Sequence, residues 1–143
     1  MTRLTTSRGQ RPRVAIVGGS QVGGLVATAL VQQFGCTPLM TPGGESVLAL
    51  LRSEERVDLA LVDVSLPDTN GLLAVQLMRA LGARGAMPII ALTEDRTDSA
   101  YARAGASGFD ATVIKPYSPR ELYGAMWSAL TGARRRLAGA TGL

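Results

Sequence analysis

The sequence is short of cysteine, of lysine and of long apolar runs. Cys36 is its single cysteine, so no disulfide forms within the chain. A free thiol of this kind packs as a small apolar residue. No apolar run reaches the ~20 residues that a bilayer-spanning helix needs. Residues 1–13 are polar and arginine-rich, with no apolar stretch ahead of a cleavage site, and so read as no secretory signal. These absences lead to the expectation of a cytoplasmic protein. Lysine occurs once, at Lys115, against fourteen arginines.

What is present suits one domain with a real core: 143 residues, 46% of them hydrophobic, which excludes a wholly disordered chain. The pI of about 10.0 belongs to the ends. Arg3, Arg8, Arg11 and Arg13 lie at the N-terminus and Arg134, Arg135 and Arg136 near the C-terminus, with no acid beside them. Residues 14–130 hold eight basic against eleven acidic residues, a net of −3. A basic face for reading nucleic acid is therefore not expected in the body of the domain. The ends read as solvated segments: 1–12 a disordered basic tail, 131–143 a basic C-terminal tail.

Between them, apolar runs bounded by turn residues alternate with segments of helical spacing. Strands are expected at Arg13–Val17, Thr37–Thr41, Asp58–Val62, Pro88–Leu92 and Ala111–Ile114. Helices are expected from Gln21 to Phe34 (Val22, Leu25, Val26, Ala29 and Leu30 at helical spacing), Glu45 to Arg52, Leu72 to Leu81, Asp98 to Ala104, and from the capping box Ser118-Pro119-Arg120-Glu121 to about Leu130. This pattern predicts a flavodoxin-like, doubly wound (βα)5 α/β domain, a five-stranded parallel sheet with helices on both faces. Right-handed crossovers bring the strands' C-terminal ends to one edge. Gly18-Gly19, Asp63, Thr93 and Lys115 then gather there.

A carboxylate, a hydroxyl and an ammonium at strand ends suit phosphoryl chemistry. Asp63 can act as the nucleophile and form an acyl phosphate. Lys115 and Thr93 can meet the oxygens over which the transferred group spreads its charge. A compact ammonium fits where a guanidinium fork does not, which gives the lone lysine its weight.

These residues resemble the receiver domain of two-component response regulators. The resemblance rests on Asp63-x-x-Leu66-Pro67-x-x-Asn70-Gly71, on Thr93, on Lys115-Pro116, and on Ser118-Pro119-x-Glu121-Leu122, in order and at the family's spacing over roughly residues 13–130. It implies that Asp63 takes a phosphoryl group from a phosphohistidine of a histidine kinase or phosphotransfer protein. It implies that Thr93 and Lys115 contact that group, that the Lys115-Pro116 bond is cis, and that Mg²⁺ assists. It also implies that the face made by the last helices reports to a partner or a second copy. With no room after residue 130 for an output domain, a stand-alone module is expected.

The sequence departs from the family at the metal. The family ends its first strand in two acids, where this chain has Gly18 and Gly19, so only Asp63 and the Ser65 carbonyl remain as ligands. Mg²⁺ usually takes one or two carboxylates in octahedral oxygen geometry, so it is expected to bind weakly or not at all. Glu94, after Thr93, is the one candidate substitute acid. Thr112 stands where the family often has an aromatic or histidine. Two readings of the site follow: an atypical receiver that either accepts a phosphoryl group poorly or works as a constitutive protein-binding platform, or a conventional phospho-accepting receiver with a substitute ligand. A nucleotide- or anion-binding α/β domain is a third reading, drawn from Gly18 to Gly24 opening a helix. Against it, Gly24-Leu25 stands where a phosphate loop needs Lys-Ser/Thr. On the last helix Leu122, Met126 and Leu130 are expected in the core. Tyr123 and Trp127, with Tyr101, are the candidate partner face.

Overall fold

A computed structural model describes residues 1–18, 21–64, 70–94 and 108–141; of Gln21, Asn70 and residues 133–141 it describes only the backbone. The elements are β1 (Arg13–Val17), α1 (Gln21–Gln33), β2 (Thr37–Thr41), α2 (Gly44–Arg52), β3 (Leu59–Val64), α3 (Asn70–Arg79), a 3-10 turn (Gly82–Gly85), β4 (Ile89–Thr93), β5 (Ala111–Ile114) and α4 (Pro119–Thr141). The five strands form one parallel sheet in the order β2-β1-β3-β4-β5. The expected helix Asp98 to Ala104 lies outside the described residues.

Side chains of a strand alternate between faces, and a parallel sheet covered on both sides is apolar on each. That alternation builds two cores. Val14, Ile16, Leu59, Leu61, Ile90, Leu92 and Val113 point to one face, where Ala27 and Val31 of α1, Phe34 beyond its end, and Leu122, Met126 and Leu130 of α4 cover them. Ala15, Val17, Ala60, Val62, Val64, Ile89 and Ala91 point to the other, under Val47 and Leu51 of α2 and Val75 and Met78 of α3. The doubly wound (βα)5 expectation holds.

Details differ from the sequence reading. In α1 the expected stripe is turned outward: Val22, Leu25 and Val26 are exposed, while Ala27 and Val31 are buried. The helix has no charged residue at either end, so periodicity alone did not mark its inner face. β3 runs past Asp63 to Val64, pairing Asp63 with Leu92 and Val64 with Thr93. α4 continues through the expected C-terminal tail to Thr141.

The N-terminal segment is also corrected. Residues 1–12 were expected as a disordered tail, yet Leu4 is only 3% exposed and belongs to the first core. Its N–H donates to the Phe34 carbonyl (2.9 Å). A leucine among arginines gave little pattern to read, but one seated side chain suffices to fix an arm.

The capping box is formed as expected. Ser118 Oγ accepts from the Glu121 N–H (3.1 Å), and Glu121 Oε1 accepts from the Ser118 N–H (3.2 Å). It fixes the start of α4 just after Lys115.

Candidate functional site

Asp63, Thr93 and Lys115 come together at the C-terminal edge of the sheet. Strand alternation turns Asp63 toward the α1–α4 face and Thr93 toward the other. Lys115 follows β5 directly, its N–H donating to the Thr93 carbonyl (2.7 Å), and the Lys115-Pro116 peptide is cis. The lysine side chain returns across the edge. Its Nζ donates to Asp63 Oδ2 at 2.5 Å, with the lysine 21% and the aspartate 10% exposed. Thr93 is buried, 1% exposed. Asp63 and Lys115 therefore form a largely buried ion pair, and Thr93 lies buried at the same edge of the sheet, its backbone carbonyl bonded to Lys115.

The asparagine-glycine step after Asp63 has a steric reason. A Cβ on Gly71 would lie 2.6 Å from the Asp63 carbonyl oxygen and 3.2 Å from Val64 Cγ2. The first turn of α3 thus presses on the backbone of the acid, and only glycine permits the approach. Gly18, at the end of β1, also lies beside that carbonyl. Its N–H donates to the Thr41 carbonyl (3.0 Å), its φ is +70°, and a Cβ there would be 4.0 Å from the Asp63 oxygen.

Among the described residues no group of three or more His, Cys, Asp or Glu side chains is placed to hold a metal ion. Glu94 is described and exposed at the end of β4. Gly19, the Ser65 carbonyl and Tyr101 lie outside the described residues.

One residue at this edge was missed in the sequence. Tyr117 is half-buried, packs against the first core and has its phenol pushed above the ordinary tyrosine range. Burial is the larger cause and the negative charge of Asp63 the second. Its place two residues after Lys115 was the available signal. Thr112, on β5, has a buried hydroxyl with no hydrogen-bond partner among the described residues.

The expected partner face divides. Trp127 is 52% exposed. Tyr123 is half-buried and packs edge-on against Phe34, ring centroids 5.3 Å apart at 81°. Its Oη donates to the Thr2 carbonyl (2.6 Å).

A cavity of about 430 Å³ lies at the other edge of the sheet, lined by Thr6, Leu51, Asp58, Arg84 and Leu130 among others. Asp58 immediately precedes β3 and Asp63 lies five residues on, roughly 17 Å at the rise of a strand. The cavity is therefore separate from the Asp63 cluster.

Residues 14–126 match the family model described as the response regulator receiver domain. The chain belongs to the response regulator receiver domain family. The receiver is 33% identical over 113 residues to the DNA-binding response regulator MtrA of Mycolicibacterium smegmatis, covering 78% of this chain and 47% of that protein. It is 30% identical over 114 residues to the sensor protein GacS of Pseudomonas syringae, covering 78% of this chain and 12% of that one. The rice protein named probable histidine kinase 4 is 23% identical over 133 residues, 79% of this chain and 13% of its own length. The receiver thus spans less than half of each of these relatives.

Two solved structures share the fold. The chemotaxis protein CheY4 of Vibrio cholerae superposes with a TM-score of 0.74 at 22% identity, covering 83% of this chain and 98% of that one. The receiver domain of the sensor histidine kinase PA1611 of Pseudomonas aeruginosa superposes with a TM-score of 0.72 at 24% identity, covering 85% and 98%; that structure has a magnesium ion coordinated in its active site cleft. Domains of this family belong to two-component and phosphorelay signalling and serve as signalling domains rather than enzymes. In the receiver no helix among the described residues is long and apolar enough to cross a membrane.

Proposed function

We propose that this receiver is an atypical one. It signals by protein contact, with Asp63 in the phospho-acceptor position and Mg²⁺-dependent phosphorylation there weak or absent. The observation that carries the reading is the Asp63–Lys115 ion pair beside a glycine. The ammonium already neutralises the carboxylate at 2.5 Å, and Gly18, at the end of β1, offers no side-chain oxygen.

The donor set fits Mg²⁺ poorly. A hard cation that takes carboxylate and water oxygens in octahedral geometry finds Asp63, engaged by Lys115, and no described cluster of acids around it. In phosphoryl transfer to a receiver, a carboxylate oxygen attacks phosphorus, the N–P bond of the phosphohistidine breaks and an acyl phosphate forms. For Asp63 this requires Lys115 to move from the attacking oxygen to the transferred group. The metal that would share the remaining charge has few ligands here. We therefore assign no step to it.

The partners proposed are a histidine kinase or phosphotransfer protein, or another cytoplasmic signalling protein, met through α4, where Trp127 is exposed. A homodimer through the same face is compatible with this reading; nucleic acid and membrane are not among its partners.

The test is incubation with a small phosphodonor and Mg²⁺ followed by intact mass, with Asp63→Asn as control. Little or no acyl phosphate is expected, and stoichiometric modification of the wild type alone would overturn the reading. A second reading rests on Glu94, an exposed acid directly after Thr93. If it serves as a substitute metal ligand, Mg²⁺-dependent phosphorylation proceeds in the wild type and Glu94→Gln abolishes it.

A further inference from the structure

The N-terminal arm ends on α4. Tyr123 Oη binds the Thr2 carbonyl (2.6 Å), and the Leu4 N–H binds the Phe34 carbonyl (2.9 Å). Arg3 lies across Gly35, where a Cβ would come within 2.9 Å of Arg3 Cγ. Leu4 enters the same buried cluster as Phe34, Leu122, Met126 and Leu130, against which Tyr123 packs. Beyond it the arm folds on itself. Thr6 Oγ1 accepts from the N–H groups of Arg8 and Gln10 (3.3 and 3.1 Å), and Gly9 turns the chain with φ +74°. Arg56 then holds Gln10 Oε1 (2.6 Å) and the Arg11 carbonyl (2.9 Å).

We propose that the edge formed by Phe34, Gly35 and Tyr123 is a groove for a leucine-bearing segment, and that residues 2–6 fill it as an intramolecular ligand. A partner reaching Tyr123 does so by displacing them. The recognition is that of a peptide segment: one apolar anchor in a socket, the anchor's N–H donating to the Phe34 carbonyl and the Thr2 carbonyl accepting from Tyr123 Oη. Within residues 2–6, Leu4 and Thr6 are buried and Leu4 is the one apolar anchor. None of residues 2–6 belongs to a strand pairing of the sheet, so the arm is able to leave without breaking it. The proposal uses the reading above only in taking α4 as the partner face.

Two experiments on the full chain test it. In native-state hydrogen exchange by NMR, the Leu4 amide is expected to exchange at least about 100-fold faster than the amides of Leu61 and Val62, through an opening insensitive to low urea. Exchange of all these amides at one common, urea-dependent rate would make the arm part of the global fold and overturn the proposal. In the second, a fluorescein-labelled peptide of residues 1–11 is added to the full-length Leu4→Ala chain, whose own anchor is gone. Saturable binding is expected, about tenfold or more tighter than to the wild-type chain and lost when the peptide carries Leu4→Ala. Equal binding to both chains, or none to a folded Leu4→Ala chain, would overturn it. Neither readout involves Asp63 or phosphate, so failure of the phosphorylation reading leaves both unchanged.

Discussion

Lys115 Nζ lies 2.5 Å from Asp63 Oδ2, in a pair that is 21% and 10% exposed. Asp63 lies on β3 and Lys115 directly follows β5, with β4 between the two strands in the sheet, so the lysine side chain spans the edge to reach the acid. Removing one member of a sequestered pair leaves the other's charge uncompensated. Lys115→Met is expected to lower the unfolding free energy by about 2–4 kcal/mol, read from urea denaturation. Asp63→Asn with Lys115→Met should cost less than the sum of the single changes. Strict additivity would mean that the pair contributes nothing.

Gly71 sets the position of Asp63 from the other side. A Cβ 2.6 Å from the Asp63 carbonyl oxygen forces the first turn of α3 away from β3. Gly71→Ala should therefore destabilise the domain by about 1–3 kcal/mol, although alanine is the better helix former. It should also shift the backbone resonances of Asp63 and Val64 in an NMR comparison. A stabilised variant with unshifted resonances would contradict the close approach.

Gly18 gives a prediction about the metal. Its φ of +70° is a conformation that costs a non-glycine residue about 1–2 kcal/mol. Gly18→Asp should lower the melting temperature in keeping with that strain. We expect melting to remain insensitive to millimolar Mg²⁺ in this variant, because one added acid does not provide a cluster while Lys115 holds Asp63. A rise in melting temperature with Mg²⁺ in the variant, absent in the wild type, would show that a single acid restores the site.

Cys36 sets an alkaline dependence of stability. It is buried, and desolvation, partly offset by Arg11, pushes its thiol up from 9.0 to about 11. The unfolded chain loses this proton near pH 9 while the folded chain keeps it to about 11. Stability therefore falls as pH rises through that window, by about 3 kcal/mol in all. The raised phenol of Tyr117 acts with the same sign above pH 10. Comparing wild type with Cys36→Ala isolates the thiol: the variant's pH slope between 9 and 11 should be shallower. Parallel slopes would place Cys36 in solvent.

The sheet and the acidic edge were legible because their signals are local. β1, β2 and β5 occupy the residues the apolar runs marked, and Asp63, Thr93 and Lys115 sit at strand ends because turn residues follow them. The capping box of α4 was likewise written in four consecutive residues. Features that depend on tertiary packing were not legible. α1 is apolar nearly all round, so its spacing suggested the stripe Val22, Leu25 and Val26, whereas the sheet buries Ala27 and Val31. Leu4 has no periodic neighbours, and its seat exists only once Phe34 and α4 are assembled. Tyr123 read from sequence either as flanking the core or as an interface anchor, and it flanks the core; no sequence rule places the Thr2 carbonyl beside its hydroxyl.

Signalling by this receiver turns on what Asp63 can hold. The most direct test is a crystal of the receiver soaked in Mg²⁺ together with a beryllium fluoride mimic of the phosphoryl group, read as electron density at the Asp63 carboxylate. No metal density is expected there, with Lys115 Nζ still within hydrogen-bonding distance of Asp63. A Mg²⁺ ion bound by Asp63, with the mimic on its free oxygen and Lys115 turned to the fluorides, would contradict it.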